Sequence, residues 1–479
     1  MNKIKEIFQK KWLKNQYLTI IQFIITIVFL GVLLIEMPIL PALFLGGAIV
    51  ILVLLLLLVY FLQYNKDAFS IRGMISKIIS LIVSLALALG CFFIHVGSSF
   101  MNSFTGTNRY VNTMSVIVLK DSSYQELNDI KGKTLNYNNT LDQDNTNRAL
   151  KDIHGQIDIN TTTCDSWDQL HDSLFNHQVD AILVNESYRV LLENIDETFS
   201  DNTRVIYYVE TESKDKNMAR NGSVNDGVFN VLISGIDTYG DISTRSRSDV
   251  NMLMTVNMNQ HRILLTGIPR DSYVPLAMNG QYDKLTHSGI YGINETMQTI
   301  GNFLNINIDY YYRVNFASLV NVVDVLGGIY VNSDQDLTIG EYHYNQGPNY
   351  MNGAMALTFA RERHSYSDGD QHRIQNQQEV MIGIINALIS SDTLMNYQNI
   401  LDHVEGTFDT NMSKDDLLTA IKKQMSSMQG YAIERQYLTG QGKMTYGLYS
   451  MPNHNLYTLV VDETSRKTVS DKINEIMNQ

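Results

Sequence analysis

Three apolar runs in the first hundred residues constrain this chain more than anything that follows them. Tyr17–Ile35 (YLTIIQFIITIVFLGVLLI), Ala42–Leu62 (ALFLGGAIVILVLLLLLVYFL) and Ile78–Ile94 (IISLIVSLALALGCFFI) contain no Asp, Glu, Lys or Arg. A helix needs about 20 such residues to cross a hydrocarbon core of about 30 Å. The third run is short at 17 residues, but Lys77 can snorkel and His95 can sit at the interface. One such run could be a buried core helix; three in succession read as membrane spans.

Orientation follows from the basic residues, which are retained on the cytoplasmic side. Lys3, Lys5, Lys10, Lys11 and Lys14 precede the first run, the connector EMPILP after it has none, and the next connector holds Lys66, Arg72 and Lys77. The expectation is a multi-pass plasma-membrane protein with a cytoplasmic amino terminus and everything after about Gly97 outside. A cleaved leader is rejected, because no small-residue cleavage site follows the first run and two more runs come after it.

Residues 1–96 carry 8 Lys and Arg against 3 Asp and Glu, so with −13 overall the remainder stands at −18. Such a surface excludes nucleic acid as a partner, for which a basic stripe is needed. Two cysteines, Cys91 within the third run and Cys164 alone beyond it, offer the exterior part no disulfide, so it must rely on core size. Cys164 reads as a small buried apolar residue.

At 479 residues the chain has room for two or three domains. After the tail and spans of 1–96, residues 97–215 alternate β-branched runs (SVIVLK, KTLNYN, RVIYYVE) with amphipathic stretches, predicting a small accessory α/β domain similar to one lobe of a solute-binding protein. The polar stretch Thr211–Gly227 reads as a linker, and 216–479 as a second α/β domain. There VFNVLISGID is a strand ending in a polar loop, VNMLMTVNM is a second strand, and HRILLTGIPRD is a third that ends in charged residues. YYYRVNFASLVNVVDVLGG passes from strand to helix, and IQNQQEVMIGIINALISS is a helix. Charged groups gathered at strand ends are where α/β folds bind ligands.

Four segments carry the chemistry. In ISGIDTYGDISTRSRSDVNML, Asp237 leaves one strand and Asp249 precedes the next. Two carboxylates at adjacent strand ends suit a hard cation such as Mg2+, while either alone also suits a turn cap or an arginine partner. Arg270, beside Asp271 in GIPRDSYV, fits a structural ion pair or a guanidinium aimed into the same crevice. ARERHSYSDGDQHR supplies Arg361, Arg363 and Arg373, with Gln377 one turn further on. If extended, Arg361 and Arg363 share a face. Converging guanidiniums repel one another until an anion arrives, and phosphate accepts their paired hydrogen bonds. The run could equally be a solvated loop whose arginines pair with Glu362, Asp368 and Asp370. His364 and His372 are poorly spaced for a zinc site.

In this order, after a membrane anchor, NVLISGIDTYG, RSRSDVNMLMTVN, ILLTGIPRDSYV, VDVLGGIYV and LTFARERHSYSDGDQHRIQNQQ resemble the LytR-CpsA-Psr family of cell-envelope enzymes. The three spans and accessory domain look like its capsule-associated CpsA branch. The resemblance implies an α-β-α sandwich with a central mixed sheet. It also implies a phosphotransferase that moves a glycan, here capsular polysaccharide, from a polyprenyl-pyrophosphate carrier to peptidoglycan, with membrane lipid and other capsule-assembly proteins as partners. Asp237 and Asp249 would hold Mg2+ or Mn2+. Arg247, Arg270, Arg361, Arg363, Arg373 and Gln377 would line the pyrophosphate pocket, with Arg247, Arg270 and Asp249 catalytic and Asp249 or a neighbouring carboxylate as the proton acceptor. Asn376 stands where many members carry arginine in an R-x-x-R-Q arrangement, so either the remaining arginines suffice or the grip is weaker. The competing readings are a membrane sensor of envelope polyprenyl phosphates and a lipid pyrophosphatase that uses water as acceptor.

Overall fold

The computed structural model describes residues 15–36, 42–63, 70–101, 109–214, 223–236, 242, 245–367, 369–390, 393, 400, 403–404 and 407–479. The chain forms two compact units. One is Met1–Thr105 with Asn396–Asp402 and Ser413–Gln429; the other is Gly106–Met395 with His403–Met412 and Gly430–Gln479.

In the first unit three helices, α1 (Asn15–Glu36), α2 (Ala42–Gln63) and α3 (Ile71–Met101), are long and apolar enough to cross a membrane. Their apolar windows span 19, 18 and 22 residues at mean hydropathies of 2.8, 3.0 and 2.2. The third helix departs from the expected limits. Ser70 accepts a hydrogen bond from the Gly73 amide, and the helix runs 31 residues from Ile71, because backbone pairing continues past the apolar stretch wherever no residue breaks it. Lys77, expected to snorkel, is instead buried. Ser76 donates to the Val59 carbonyl at 3.3 Å and Ser80 to that of Leu18 at 3.4 Å, tying α3 to both other helices.

The second unit contains two sheets. Strands β1 (Arg109–Leu119), β2 (Thr134–Asn138), β3 (Asn160–Cys164), β4 (Ala181–Asn185) and β5 (Thr203–Lys214) form a sheet ordered β3-β2-β4-β1-β5. The first three of these are parallel, and β1 is antiparallel to both neighbours. Alternation along the strands buries both faces. Val116, Val118 and Leu183 pack with α4 (Gln143–Gln156), while Ile117, Ile182 and Val184 pack with α5 (Trp167–Phe175).

The larger sheet has β6 (Val228–Gly235), β7 (Val250–Asn257), β8 (Arg262–Gly267), β9 (Tyr310–Val314), β10 (Phe408–Thr410) and β11 (Ala432–Tyr437), in the order β10-β9-β6-β7-β8-β11. It is mixed: β6, β7 and β8 form an antiparallel meander, and β9 and β11 add parallel to β6 and β8. On one face Leu232, Leu253 and Leu264 pack against α6 (Ile293–Leu304) and α10 (Glu463–Met477). The opposite face carries α7 (Phe316–Val325), α8 (Gly353–Arg361) and α9 (Asp370–Leu388). The predicted strand YTLVV, in Asn455–Val461, pairs with Gly440–Tyr446 in a separate hairpin.

Candidate functional site

Strand direction assembles the site. Because β7 runs against both neighbours, its first residues lie beside the last residues of β6 and β8: Val250 opposes Gly235, and Met252 opposes Gly267. The end of β9 joins them, Val314 opposite Gly235. Arg247 and Asp249, which enter β7, therefore meet Arg270, which leaves β8. Ile233 and Met252, next to Leu232 and Leu253, point away from the α6 side and supply the floor.

The result is a cavity of about 680 Å3 lined by Arg247, Asp249, Arg270, Arg361, Arg363, Arg373 and Gln377 together with Phe316, Leu319, Leu357, Val380, Met381 and Ile384. Seven of the eight residues singled out in the sequence thus converge; Asp237 lies outside the described residues. The proposed apolar linings in VMIGIINALIS and FASLVNVVDVL also contribute.

Asp249 is at the centre. Its Oδ1 accepts hydrogen bonds from Arg270 Nη1 and Thr286 Oγ1, both at 3.0 Å. Its Oδ2, 3.8 Å from Arg247 Nε, is buried without a hydrogen bond. Burial disfavours the charge, but Arg247 and Arg270 outweigh it and hold the carboxyl below the usual range. Burial likewise works against Arg270, whose guanidinium Asp249 and Asp271 hold above its ordinary value. At Arg373 burial wins. Asp370, at 2.6 Å, opposes it, but the like charges of Arg270 and Arg363 reinforce it, and the pKa is lowered. A buried guanidinium crowded by others is stabilised by an arriving anion.

Two expectations change. Arg361 and Arg363 do not share the face of an extended strand, because α8 runs through Arg361 and is capped at Glu362. Arg361 lies 4.1 Å over the Phe316 ring, and both arginines still line the cavity. Glu362, offered as an arginine partner, accepts instead from the Ser365 amide at 2.7 Å. Asn376 donates to the Phe359 carbonyl at 3.2 Å and the Tyr366 hydroxyl at 3.3 Å, inside the core beneath the cavity wall. His372 stacks on Tyr366 at 3.5 Å, and among the described residues no group of three or more His, Cys, Asp or Glu is placed to hold a metal.

Sequence reading missed Thr286, which holds Asp249 from 37 residues away, and weighed His364 only as a zinc ligand, whereas it lines the cavity and accepts from Arg363 Nε at 3.3 Å. His364 stood among the arginines; nothing in LTHSGIY marked Thr286.

The chain belongs to the LytR-CpsA-Psr family, described as the LytR_cpsA_psr family, which residues 197–472 match. It is similar to the polyisoprenyl-teichoic acid–peptidoglycan teichoic acid transferase TagU of Enterococcus faecalis strain V583, at 33% identity over 226 residues, 47% of this chain and 74% of that protein. TagU of Bacillus subtilis strain 168 is 33% identical over 243 residues, covering 50% and 78%. Among solved structures, B. subtilis TagV is 26% identical at a TM-score of 0.46, covering 52% of this chain and 97% of that one. TagT bound to LI-WTA is 26% identical at 0.45, covering 55% and 95%.

Proposed function

We propose that this cavity transfers a glycopolymer from a polyprenyl-pyrophosphate carrier to peptidoglycan. The observation that carries the reading is the union of five arginines, grouped with Asp249, and an apolar wall in one cavity. A polyprenyl pyrophosphate needs both: guanidiniums for its phosphates and an apolar lining for its chain. The relatives named above act, by their names, on teichoic acid and peptidoglycan. Capsular polysaccharide is our proposal for the cargo here, from the domain layout, and the basic residues around the first spans support placing the cavity outside the cell.

A peptidoglycan hydroxyl, that of muramic acid in this reading, attacks the phosphorus that bears the sugar. The new oxygen–phosphorus bond makes a phosphodiester, the pyrophosphate bond breaks, and polyprenyl phosphate leaves with the hydroxyl proton on its freed oxygen. Arg247, Arg270, Arg361, Arg363 and Arg373 hold the phosphates in line and spread their charge, which is most of what phosphoryl transfer requires. Gln377, whose amide already reaches the Ala360 carbonyl at 3.4 Å, steadies the α8 end of the pocket. Asp249, kept ionised by its arginines, suits anchoring positive charge better than accepting the hydroxyl proton, because an effective base titrates near the working pH.

A divalent cation fits this donor set. Asp249 Oδ2 is a buried carboxylate oxygen without a hydrogen bond, and Mg2+ is usually held by one or two carboxylates plus substrate phosphates. Asp249 with Asp237 would hold Mg2+ or Mn2+, which when bound neutralises phosphate charge.

The test incubates the protein with a polyprenyl-pyrophosphate-linked glycan and peptidoglycan fragments, with and without Mg2+, for wild type and Arg270→Ala. A glycan-phosphate-peptidoglycan product that falls roughly 10²- to 10³-fold in the variant is expected, the usual cost of losing one preorganised donor. Free phosphorylated glycan without transfer would mean a pyrophosphatase, and tight lipid binding without turnover a sensor.

A further inference from the structure

The loop that carries Arg247 and Asp249 is contacted from behind by a part of the molecule to which the transfer reaction gives no role. Gly289 lies flat against that loop: a Cβ there would fall 2.5 Å from the Ser248 nitrogen and 2.6 Å from the Ser246 oxygen, leaving no room for a side chain. The Ser248 amide donates to the Thr286 carbonyl at 3.0 Å, and the Thr286 hydroxyl holds Asp249. The Thr286 amide in turn donates to the Arg270 carbonyl at 2.9 Å. Segment 285–291 therefore touches the loop backbone, the central carboxylate and the strand end that bears Arg270.

The next two residues of that segment belong to another core. Ile290 is buried, and Tyr291 packs, among residues of the five-stranded sheet domain: Ile117, Trp167, Leu170 and Tyr188. Trp167 stacks on Tyr188 with centroids 5.3 Å apart, and Tyr188 meets Tyr291 at 6.2 Å. Tyr291 is pinned by Ser450 at 2.8 Å, and Ser450 donates through its amide (2.8 Å) and hydroxyl (2.5 Å) to Asp283, a fully buried carboxylate. Asp168 of α5 fastens the same region through His454 at 2.5 Å and Asn453 at 3.1 Å. A second link is electrostatic: the charge of Arg245 lowers the pKa of Asp142 and that of Tyr188, both of which burial raises. Asp142 is itself fixed in a left-handed conformation (φ 56°), accepting from Asn145 at 2.7 Å and Asn185 at 2.5 Å.

We propose that the five-stranded sheet domain is a brace for the loop Arg245–Asp249. Through Tyr188 on the Gly289–Tyr291 turn, and through Asp142 on Arg245, it fixes the backbone that aims Arg247 and Asp249 into the cavity. Arg245 and Tyr188 are positioning residues; neither lines the cavity. The brace preorganises the charged end of the site before substrate arrives, and displacement of a catalytic group by about 1 Å can cost about a hundredfold in rate. The kinetic consequence rests on the transfer reading above; the mechanical one does not.

The experiment uses the full-length protein in detergent micelles, with Arg245→Gln, Arg245→Lys and Tyr188→Leu. Hydrogen exchange of residues 245–249, thermal unfolding, and kcat and KM for transfer are measured on each. Arg245→Gln should speed exchange in 245–249 without moving the Tm, and should lower kcat roughly tenfold or more with little change in KM. Arg245→Lys should recover most of both effects, because it keeps the charge that faces Asp142. Tyr188→Leu should release the same amides from the other contact. Unchanged exchange of 245–249 in both Arg245→Gln and Tyr188→Leu overturns the brace. If wild type performs no transfer, the reading of the cavity fails, and the exchange data still decide the brace.

Discussion

At the scale of single residues, Asp249 sets the acid behaviour of the site. Its folded pKa lies below its unfolded value of about 3.9. It therefore adds stability that is present above that unfolded value and lost as pH falls through the lower folded one. Asp249→Asn lacks this contribution, so the gap in Tm between wild type and variant should be widest near neutrality and narrow between roughly pH 5 and pH 2. Two melting curves that stay parallel over that range would show that the arginines do not stabilise the ionised form. The candidate phosphate-holding residues were legible before the fold was known, because arginines and carboxylates at strand ends stand out in an acidic chain. Which way they face was not. Asn376 occupies the place of an arginine in the R-x-x-R-Q pattern, yet its amide serves the backbone of Phe359 inside the core. Thr286 was illegible, because a threonine gains meaning only from the carboxylate folded against it.

Among the elements, α7 and α8 give the cavity its width. Gly353 begins α8, and a Cβ there would come within 2.4 Å of the Val320 oxygen and 2.7 Å of its Cα, so the two helices touch backbone to backbone. Gly353→Ala must push them apart, an overpacking cost of about 1–3 kcal/mol. Phe316 and Leu319 on one helix and Leu357 and Arg361 on the other line the cavity. The variant should therefore bind a polyprenyl pyrophosphate less tightly while binding inorganic pyrophosphate nearly as wild type does. Calorimetry with both ligands checks this, and equal losses would remove the apolar wall from the account. Helix α7 was readable in YYYRVNFASLVNVVDVLGG, where a strand passes into a helix, and in the structure Asn315 caps it together with Ser318. The end of α8 was not, because ARER carries no stop signal before Arg361.

Taken whole, the molecule keeps its membrane helices and its sheets in different compact units. Among the described residues, the buried core clusters of both sheets lie in the second unit. A chain that starts at Gly106 should consequently fold in water without detergent and melt cooperatively, as followed by circular dichroism. Precipitation in the absence of detergent would show that the first unit completes a core. The sequence by itself determined the three apolar helices, the α/β character of the rest and the inventory of arginines and carboxylates. All of these depend on composition and on periods of two or 3.6 residues, which act over a few neighbours. Tertiary structure alone decided that Arg247, Arg270 and Arg373 share one cavity, that Asn376 turns inward, and that the turn Gly289–Tyr291 lies between the loop of Asp249 and the core of the five-stranded sheet. Those facts rest on strand order, register and helix packing between segments that lie outside any local window, and no local pattern encodes such contacts.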